Sequence, residues 1–360
     1  MPILHIAALR LEAQGIAHPA PVTPAEVVAR LGALQAQDYA GALWSIGLRI
    51  DGATREDVEQ AITDRTIVRT WPMRGTLHFV PAVDARWMLE LLTPRIIAGA
   101  AGRHRQLELD DIAFRRSRTI IAHALARESI LTRGALFAAL EQAGVSTAGQ
   151  RGIHILQRLT MERMLCYGPH AGKQPTFVLF DEWIATSRHV ERDEALQTIA
   201  ERFFHGHGPA SLHDFAGWTG LTMADARLAL RLAQPSLERL MSGDLELWRS
   251  ARATSITGAP RAHLLPGFDE FMLGYKDRSA ALASRFADRI VPGGNGMFLS
   301  TLVLDGQVCG TWRRAARARS VTLTASPFRA LTAAEKKAFA APVERYAHYL
   351  GVPVTLAWPA

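Results

Sequence analysis

The most informative segment for the fold is Ile67–Val80, which has the sequence IVRTWPMRGTLHFV. Its β-branched and aromatic residues predict two strands. The intervening Arg74-Gly75 predicts a hairpin turn, because glycine supplies the backbone freedom that a tight turn needs. Helices are predicted before it over residues 24–35, 38–48 and 54–64. Three helices followed by a hairpin is the order of a winged helix, a helix-turn-helix with a β-wing.

The same order recurs along the next part of the chain. Helices are predicted over residues 111–127, then from the N-cap Thr132, and then from Ser146. Strand-like residues 164–167 and 176–180 follow and enclose a polar loop. This order predicts a second winged-helix unit.

A third unit is predicted to begin near Asp193. Ser211 and Thr222 are typical N-caps for two helices, and Gly220 provides the turn between them. The chain after residue 260 is richer in strand-like segments, with a hairpin turn at Asp305-Gly306.

We therefore predict an α+β, mainly α protein with three tandem winged-helix units and a C-terminal, mainly β element. The expected domains are residues 1–82 (an N-terminal helix and winged helix 1), 83–182 (winged helix 2), 183–255 (winged helix 3) and 256–360 (the C-terminal element and a closing helix).

The composition favours a nucleic-acid partner. The chain has 360 residues and a net charge of +7, and its pI is near 9.9. A basic charge balance of this size is an electrostatic signature of nucleic-acid binding, although an inert basic surface would give the same value. Cys166 and Cys309 are the only cysteines, so neither a disulfide framework nor a cysteine metal motif is predicted. No apolar run reaches the length of a membrane span, about 18 residues, and the N-terminus does not resemble a signal peptide.

The candidate catalytic stretch is Leu34–Tyr39, with the sequence LQAQDY. Gln35 and Gln37 are amides, which do not titrate but can hold a water molecule or a base edge in a fixed geometry. Asp38 follows directly and is a candidate assisting group. The alternative is that the glutamines only join two helices, since glutamine is a good helix former.

Several common catalytic motifs are absent from the sequence. There is no glycine-rich nucleotide loop, no Gly-x-Ser-x-Gly and no His-Glu-x-x-His. His205-Gly206-His207 is interpreted as a solvated loop and not as a metal site. Neither a metal nor a nucleotide cofactor is therefore expected.

Basic and aromatic side chains near the predicted wings and turns are candidates for DNA contacts, because arginine and lysine bind phosphates and aromatic rings stack on bases. They are Arg69, Arg74, His78, Lys173, Lys276, Arg278, Trp312, Arg313 and Arg314.

Taken together, four stretches make the chain resemble the winged-helix DNA glycosylases of the AlkZ-like (YcaQ-like) family. They are Leu31–Asp38, Arg74–His78, Leu264–Phe271 with Gly274–Arg278, and Val291–Gly296 with Gly310–Arg313. The resemblance implies three tandem winged helices and the excision of N7-alkylated purines, in some members with unhooking of interstrand crosslinks. It also implies a Gln-apolar-Gln catalytic motif, here Gln35-Ala36-Gln37.

The first hypothesis is thus a metal-independent, monofunctional DNA glycosylase. A purine alkylated at N7 is cationic and leaves as a neutral base, so no strong general acid is required. The expected partner is double-stranded DNA carrying alkylated purines. The protein is expected to act as a monomer in the cytoplasm, on the nucleoid. The alternatives are a non-catalytic winged-helix transcriptional regulator and a protein that sequesters damaged DNA without cutting it.

Overall fold

The computed structural model describes residues 5–253, 261–317 and 319–359 as a mixed α/β protein. The chain divides into two compact units. Unit 1 comprises Met1–Val58 and Leu196–Ala360, and unit 2 comprises Glu59–Ala195. Among the described residues, every helix is too short or too polar to cross a membrane. The expected domain boundary between residues 255 and 256 lies outside the described residues.

The helices are α1 (Ile6–Ala13), α2 (Pro24–Leu31), α3 (Tyr39–Gly47), α4 (Arg55–Thr63), α5 (Ala85–Gly99), α6 (Ala101–Gln106), α7 (Asp111–Arg127), α8 (Arg133–Gln142), α9 (Arg151–Met161), α10 (Phe180–Trp183), α11 (Arg192–His207), α12 (Leu212–Thr219), α13 (Met223–Ala233), α14 (Glu270–Leu273), α15 (Ala287–Ile290), α16 (Ala333–Ala338) and α17 (Ala340–Leu350). The strands are β1 (Leu34–Gln35), β2 (Ile67–Met73), β3 (Thr76–Pro81), β4 (Leu131–Thr132), β5 (Leu165–Tyr167), β6 (Thr176–Leu179), β7 (Leu237–Ser242), β8 (Leu245–Ser250), β9 (Ala262–Leu265), β10 (Thr301–Leu304), β11 (Gln307–Ala316), β12 (Val321–Pro327) and β13 (Val354–Ala357).

Unit 2 is built on antiparallel strands in the order β3-β2-β5-β6-β4. The hairpin predicted at Arg74-Gly75 is confirmed, with Val68 opposite Val80 and Arg69 opposite Phe79. Helices α7, α8 and α9 supply Phe114, Leu136, Ile155 and other residues to one buried apolar cluster, which also contains Trp71 of β2. Burial of this cluster is the main favourable contribution to the stability of the unit.

Unit 1 contains a five-stranded sheet in the order β13-β12-β11-β10-β9. Its β10–β11 hairpin turns at Asp305-Gly306, as predicted, and only β12 and β13 run parallel. Ser211 and Thr222 cap α12 and α13, also as predicted, by accepting hydrogen bonds from the backbone N–H groups of Asp214 and Asp225. The β7–β8 hairpin follows these two helices.

Some local predictions were wrong. The helix expected from Ser146 begins at Arg151, because the side chain of Glu141 accepts hydrogen bonds from both the N–H and the hydroxyl of Thr147 and holds this segment in a turn. Helix α2 ends at Leu31, since Gly32 has a φ of 77°.

Gly47 tests how closely α3 packs against α17. A Cβ added at this position would overlap the ring of Tyr349. We expect Gly47→Ala to lower the free energy of unfolding by about 1–3 kcal/mol, because overpacking a filled core forces its neighbours to move. Urea denaturation measures the change.

Gly99→Ala is the control for this substitution. Gly99 is the last residue of α5, and nothing lies within 4 Å of the added atom. We expect this variant to be neutral or more stable by about 0.5–1 kcal/mol. Equal stability of the two variants would contradict the close packing of α3.

Candidate active site

The Gln35–Asp38 segment passes from the core to the surface. Gln35 ends β1 and is only 7% exposed, and Ala36 is fully buried. Gln37 and Asp38 are exposed. Asp38 stands at the N-cap position of α3 but makes no capping hydrogen bond with its side chain. The motif therefore has a buried first amide and presents the second amide and a carboxylate at the surface.

Glu270 holds the backbone of this motif. Its Oε1 accepts a hydrogen bond of 3.1 Å from the N–H of Gln35. Its Oε2 accepts one from Nε1 of Trp218 at 2.8 Å and lies 3.2 Å from Nε2 of His207. Glu270 is 1% exposed. A carboxylate that is removed from water requires such donors, because an uncompensated buried charge is very costly.

His207 is fully buried and fixed on both sides of its ring. Its Nδ1 lies 3.2 Å from the carbonyl oxygen of Phe203, and its ring stacks on the ring of Phe203 at 4.7 Å. The hydroxyl of Tyr275 donates to the carbonyl of His207 at 2.7 Å and accepts from Nε2 of Gln14. Burial raises the pKa of the Tyr275 phenol, which keeps it a neutral donor.

Asp269, the neighbour of Glu270, holds the helix that follows the motif. Its two oxygens accept hydrogen bonds from Arg49 at 2.9 and 3.1 Å, and Oδ2 also accepts from the hydroxyl of Ser45 at 2.6 Å. Both Arg49 and Ser45 are buried and follow the motif along α3 and its C-terminal end. The two adjacent carboxylates thus fix the chain on either side of Gln37.

The turn before Asp269 is tightly constrained. Phe268 has a φ of 62°, which is uncommon for a bulky residue and signals a backbone that the surrounding structure imposes. A Cβ on Gly267 would lie 2.6 Å from the carbonyl oxygen of Phe298, so only glycine fits there. The indole N–H groups of Trp44 and Trp312 donate to the carbonyls of Leu264 and Leu265, just before this turn.

Tyr346 lies within electrostatic range of Asp38. Nη1 of Arg314 is 3.3 Å from the hydroxyl of Tyr346. The pKa of Tyr346 is raised above its ordinary value, mainly by burial. The charge of Arg314 opposes this shift, and the charge of Asp38 adds to it. The exposed carboxylate of Asp38 lies over Gly41, where an added Cβ would be 2.7 Å from Oδ2.

The DNA-contact candidates of unit 2 lie at its hairpins. Arg74 is at the β2–β3 turn, and its Nη2 is 3.0 Å from Nε2 of His78, a buried residue. The guanidinium of Arg69 lies 4.9 Å from the ring centre of Tyr167. Lys173 is exposed in the loop between β5 and β6.

The candidates of unit 1 differ in exposure. Lys276, Arg313 and Arg314 are exposed. Arg278 donates to the carbonyl of Met272 at 2.6 Å and stands over the ring of Phe298. Trp312 is 5% exposed, so its ring lies in the core.

The interpretation of His205-Gly206-His207 as solvated was wrong for His207, which is fully buried at the end of α11. Sequence reasoning also assigned no role to Trp218 or Glu270. The only local signal was a pair of acidic residues inside an apolar stretch, Leu264–Phe271. In the described part of the chain, no three His, Cys, Asp or Glu side chains are grouped so that they could hold a metal ion.

The family described as "DNA glycosylase AlkZ-like" matches residues 28–349, and the chain belongs to this family. Its members are hydrolases that act on N-glycosyl bonds.

A curated protein and a solved structure, both from Streptomyces sahachiroi, are similar to this chain. The interstrand DNA cross-link repair glycosylase of this organism is 26% identical over 324 residues, which cover 85% of this chain and 86% of that protein. The solved structure of its DNA glycosylase AlkZ has the same fold, with a TM-score of 0.80 and 23% identity over 98% of both chains.

The pair of Arg49 and Asp269 is expected to be critical for stability. Its side chains are 1% and 2% exposed. Asp269→Ala should lower the free energy of unfolding by about 3–5 kcal/mol, because it leaves a buried guanidinium without its carboxylate. Chemical denaturation measures this loss.

Arg239→Ala is the matched control, since Arg239 and Glu246 form a pair whose side chains are 62% and 47% exposed. This variant should lose less than about 1 kcal/mol. If Asp269→Ala lowers the free energy of unfolding no more than Arg239→Ala does, the buried pair does not hold α3.

Proposed function

We propose that this protein hydrolyses the N-glycosidic bond of N7-alkylated purines in double-stranded DNA, with Gln35 and Gln37 as the catalytic residues. The observation that carries the proposal is the arrangement around the motif. An exposed amide, Gln37, stands beside an exposed carboxylate, Asp38, on a backbone that buried side chains hold in place. Membership of the AlkZ-like family favours this enzyme over a transcriptional regulator.

The chemistry suits an amide motif. When the C1′–N9 bond breaks, its electron pair enters the purine ring and neutralises the positive charge of the alkylated base. The sugar becomes an oxocarbenium ion, and water adds to C1′ and then loses a proton. Gln37 would hold this water, and Asp38 would be a proton acceptor that bulk water can replace. Because the leaving group is already activated, no general acid is needed, unlike in ordinary glycoside hydrolysis. The motif contains no lysine, so direct hydrolysis is proposed and not a Schiff-base lyase reaction.

We also propose that the chain contains three winged-helix units, over residues 1–82, 83–182 and 183–255, followed by the C-terminal element. The hairpins β2–β3, β5–β6 and β7–β8 support this division, since each follows a set of helices. The exposed cations at hairpins and loops would bind phosphates, and they include Lys173, Lys276, Arg313 and Arg314. Because Trp312 and His78 are buried, their proposed role is to support these segments.

Unhooking of interstrand crosslinks is proposed as a second activity of the same site. The relative from S. sahachiroi carries this activity in its name. The exposure of Gln37 supports the proposal, because a bulky adduct cannot enter a closed base-flipping pocket. Duplexes joined through the N7 atoms of two guanines should be converted to single strands, as resolved on a denaturing gel.

Base release from N7-methylguanine DNA tests the main proposal. We expect the wild-type protein to release the base under single-turnover conditions and Gln37→Ala to do so about 100-fold more slowly, since water is no longer positioned. Duplex binding should remain unchanged, as measured by fluorescence anisotropy.

Gln60→Ala is the matched control for this experiment, because Gln60 is an exposed glutamine in α4. It should keep the wild-type rate. Uracil should not be released from a duplex that contains it, since uracil would leave as an anion. Tight binding without any base release from alkylated DNA would instead support a regulator or a sequestering protein.

Asp38→Asn tests whether Asp38 is an obligatory base. We expect the rate of N7-methylguanine release to fall by less than about tenfold, because general-base catalysis typically contributes 10²–10⁴-fold and the departure of a cationic base does not depend on it. A loss of about 1,000-fold or more would assign the proton transfer to Asp38 and correct this part of the proposal.

A further inference from the structure

A single buried carboxylate joins three distant parts of unit 1. Glu270 accepts from the N–H of Gln35, which lies 235 residues away along the chain, and from the indole N–H of Trp218 in α12. It also contacts Nε2 of His207 at the end of α11. Its side chain is 1% exposed, and that of His207 is fully buried. These contacts are therefore shielded from bulk water.

The three contacts need a carboxylate. Oε1 faces the N–H of Gln35, while Oε2 faces both Trp218 and His207. An ionised carboxylate offers acceptor sites on both oxygens, whereas an amide offers them on one oxygen only. A glutamine at position 270 could accept from Gln35 but would turn its NH₂ group towards the N–H of Trp218.

We infer that Glu270 is a positioning residue for the glycosylase reaction, which rests on the proposed catalytic role of Gln37. Glu270 holds the backbone N–H of Gln35 and so sets where the chain emerges at Gln37, two residues further on. Trp218 and His207 orient the carboxylate. Glu270 itself is buried beneath the motif and acts on the reaction only through it.

The test compares single-turnover rates of N7-methylguanine release. Glu270→Ala should slow release by about 100-fold, the loss typical of a displacement of about 1 Å at a reacting group. The rate of Glu270→Gln should lie between that of Glu270→Ala and that of the wild type, because the carbonyl oxygen of the glutamine can still accept the hydrogen bond from the N–H of Gln35. The affinity for duplex DNA should change by less than about threefold in both, since the step affected is chemical and not binding.

Asp84→Asn controls for the loss of a buried carboxylate. Asp84 is 1% exposed and accepts a hydrogen bond of 2.8 Å from the indole N–H of Trp87, as Glu270 does from Trp218. Asp84 belongs to unit 2, whereas Glu270 belongs to unit 1. This variant should melt at a lower temperature and keep the wild-type rate when assayed well below its melting temperature.

A double variant separates positioning from general destabilisation. If Glu270 acts through the motif, Gln37→Ala combined with Glu270→Gln is no slower than Gln37→Ala alone, because residues that act as one unit are not additive. Multiplied losses would overturn the inference. A Glu270→Gln rate equal to that of the wild type would also overturn the inference. If Glu270→Ala does not fold, the rate of Glu270→Gln alone tests the inference.

The same experiment distinguishes failure of the inference from failure of the proposed function. A wild-type protein that releases no alkylated base contradicts the function itself. A wild type that is active and loses its activity in Gln37→Ala, but keeps it in Glu270→Gln, contradicts only the positioning role.

Discussion

The adjacent buried carboxylates of Asp269 and Glu270 are the constraint on which the candidate site depends. Asp269 binds Arg49 and Ser45 after the motif, and Glu270 binds the N–H of Gln35 within it. Burying two neighbouring negative charges is unfavourable unless each is compensated. Arg49, Ser45 and Gln35 each lie more than two hundred residues from these carboxylates in the sequence, so the motif takes its shape only when the two parts of the chain that form unit 1 have folded together.

Much of the local structure could be predicted from the sequence, because its causes are local. Thr132, Ser211 and Thr222 cap helices as expected, since an N-cap side chain bonds to N–H groups three residues away. The hairpins at Arg74-Gly75 and Asp305-Gly306 also follow from turn chemistry. At Thr147 a competing contact overrode the local pattern, because its N–H and hydroxyl both bond to Glu141.

The supports of the site could not be predicted in this way. The motif itself was visible as two glutamines beside an aspartate, but its supports were not. His207 looked like part of a solvated loop, and its burial depends on α12 and on Glu270, which are remote in sequence. Likewise, nothing local indicates that Phe268 adopts a φ of 62°. That conformation results from the packing of the turn, and it sets the directions of the two carboxylates that follow.

The buried charges of Arg49, Asp269 and Glu270 support a motif whose two glutamines are uncharged, and this combination has a physical reason. Replacing a buried ion pair with well-packed apolar residues is often neutral or stabilising, so the presence of Arg49 and Asp269 is weak evidence for a gain in stability. An ion pair and a carboxylate that accepts several hydrogen bonds do fix the orientation of the groups they join, since hydrogen bonds fix angles and apolar contacts do not. An amide that holds water for attack on a short-lived cation acts only through its position. A polar, fully bonded support beneath Gln37 therefore suits this chemistry better than an apolar support of equal or greater stability.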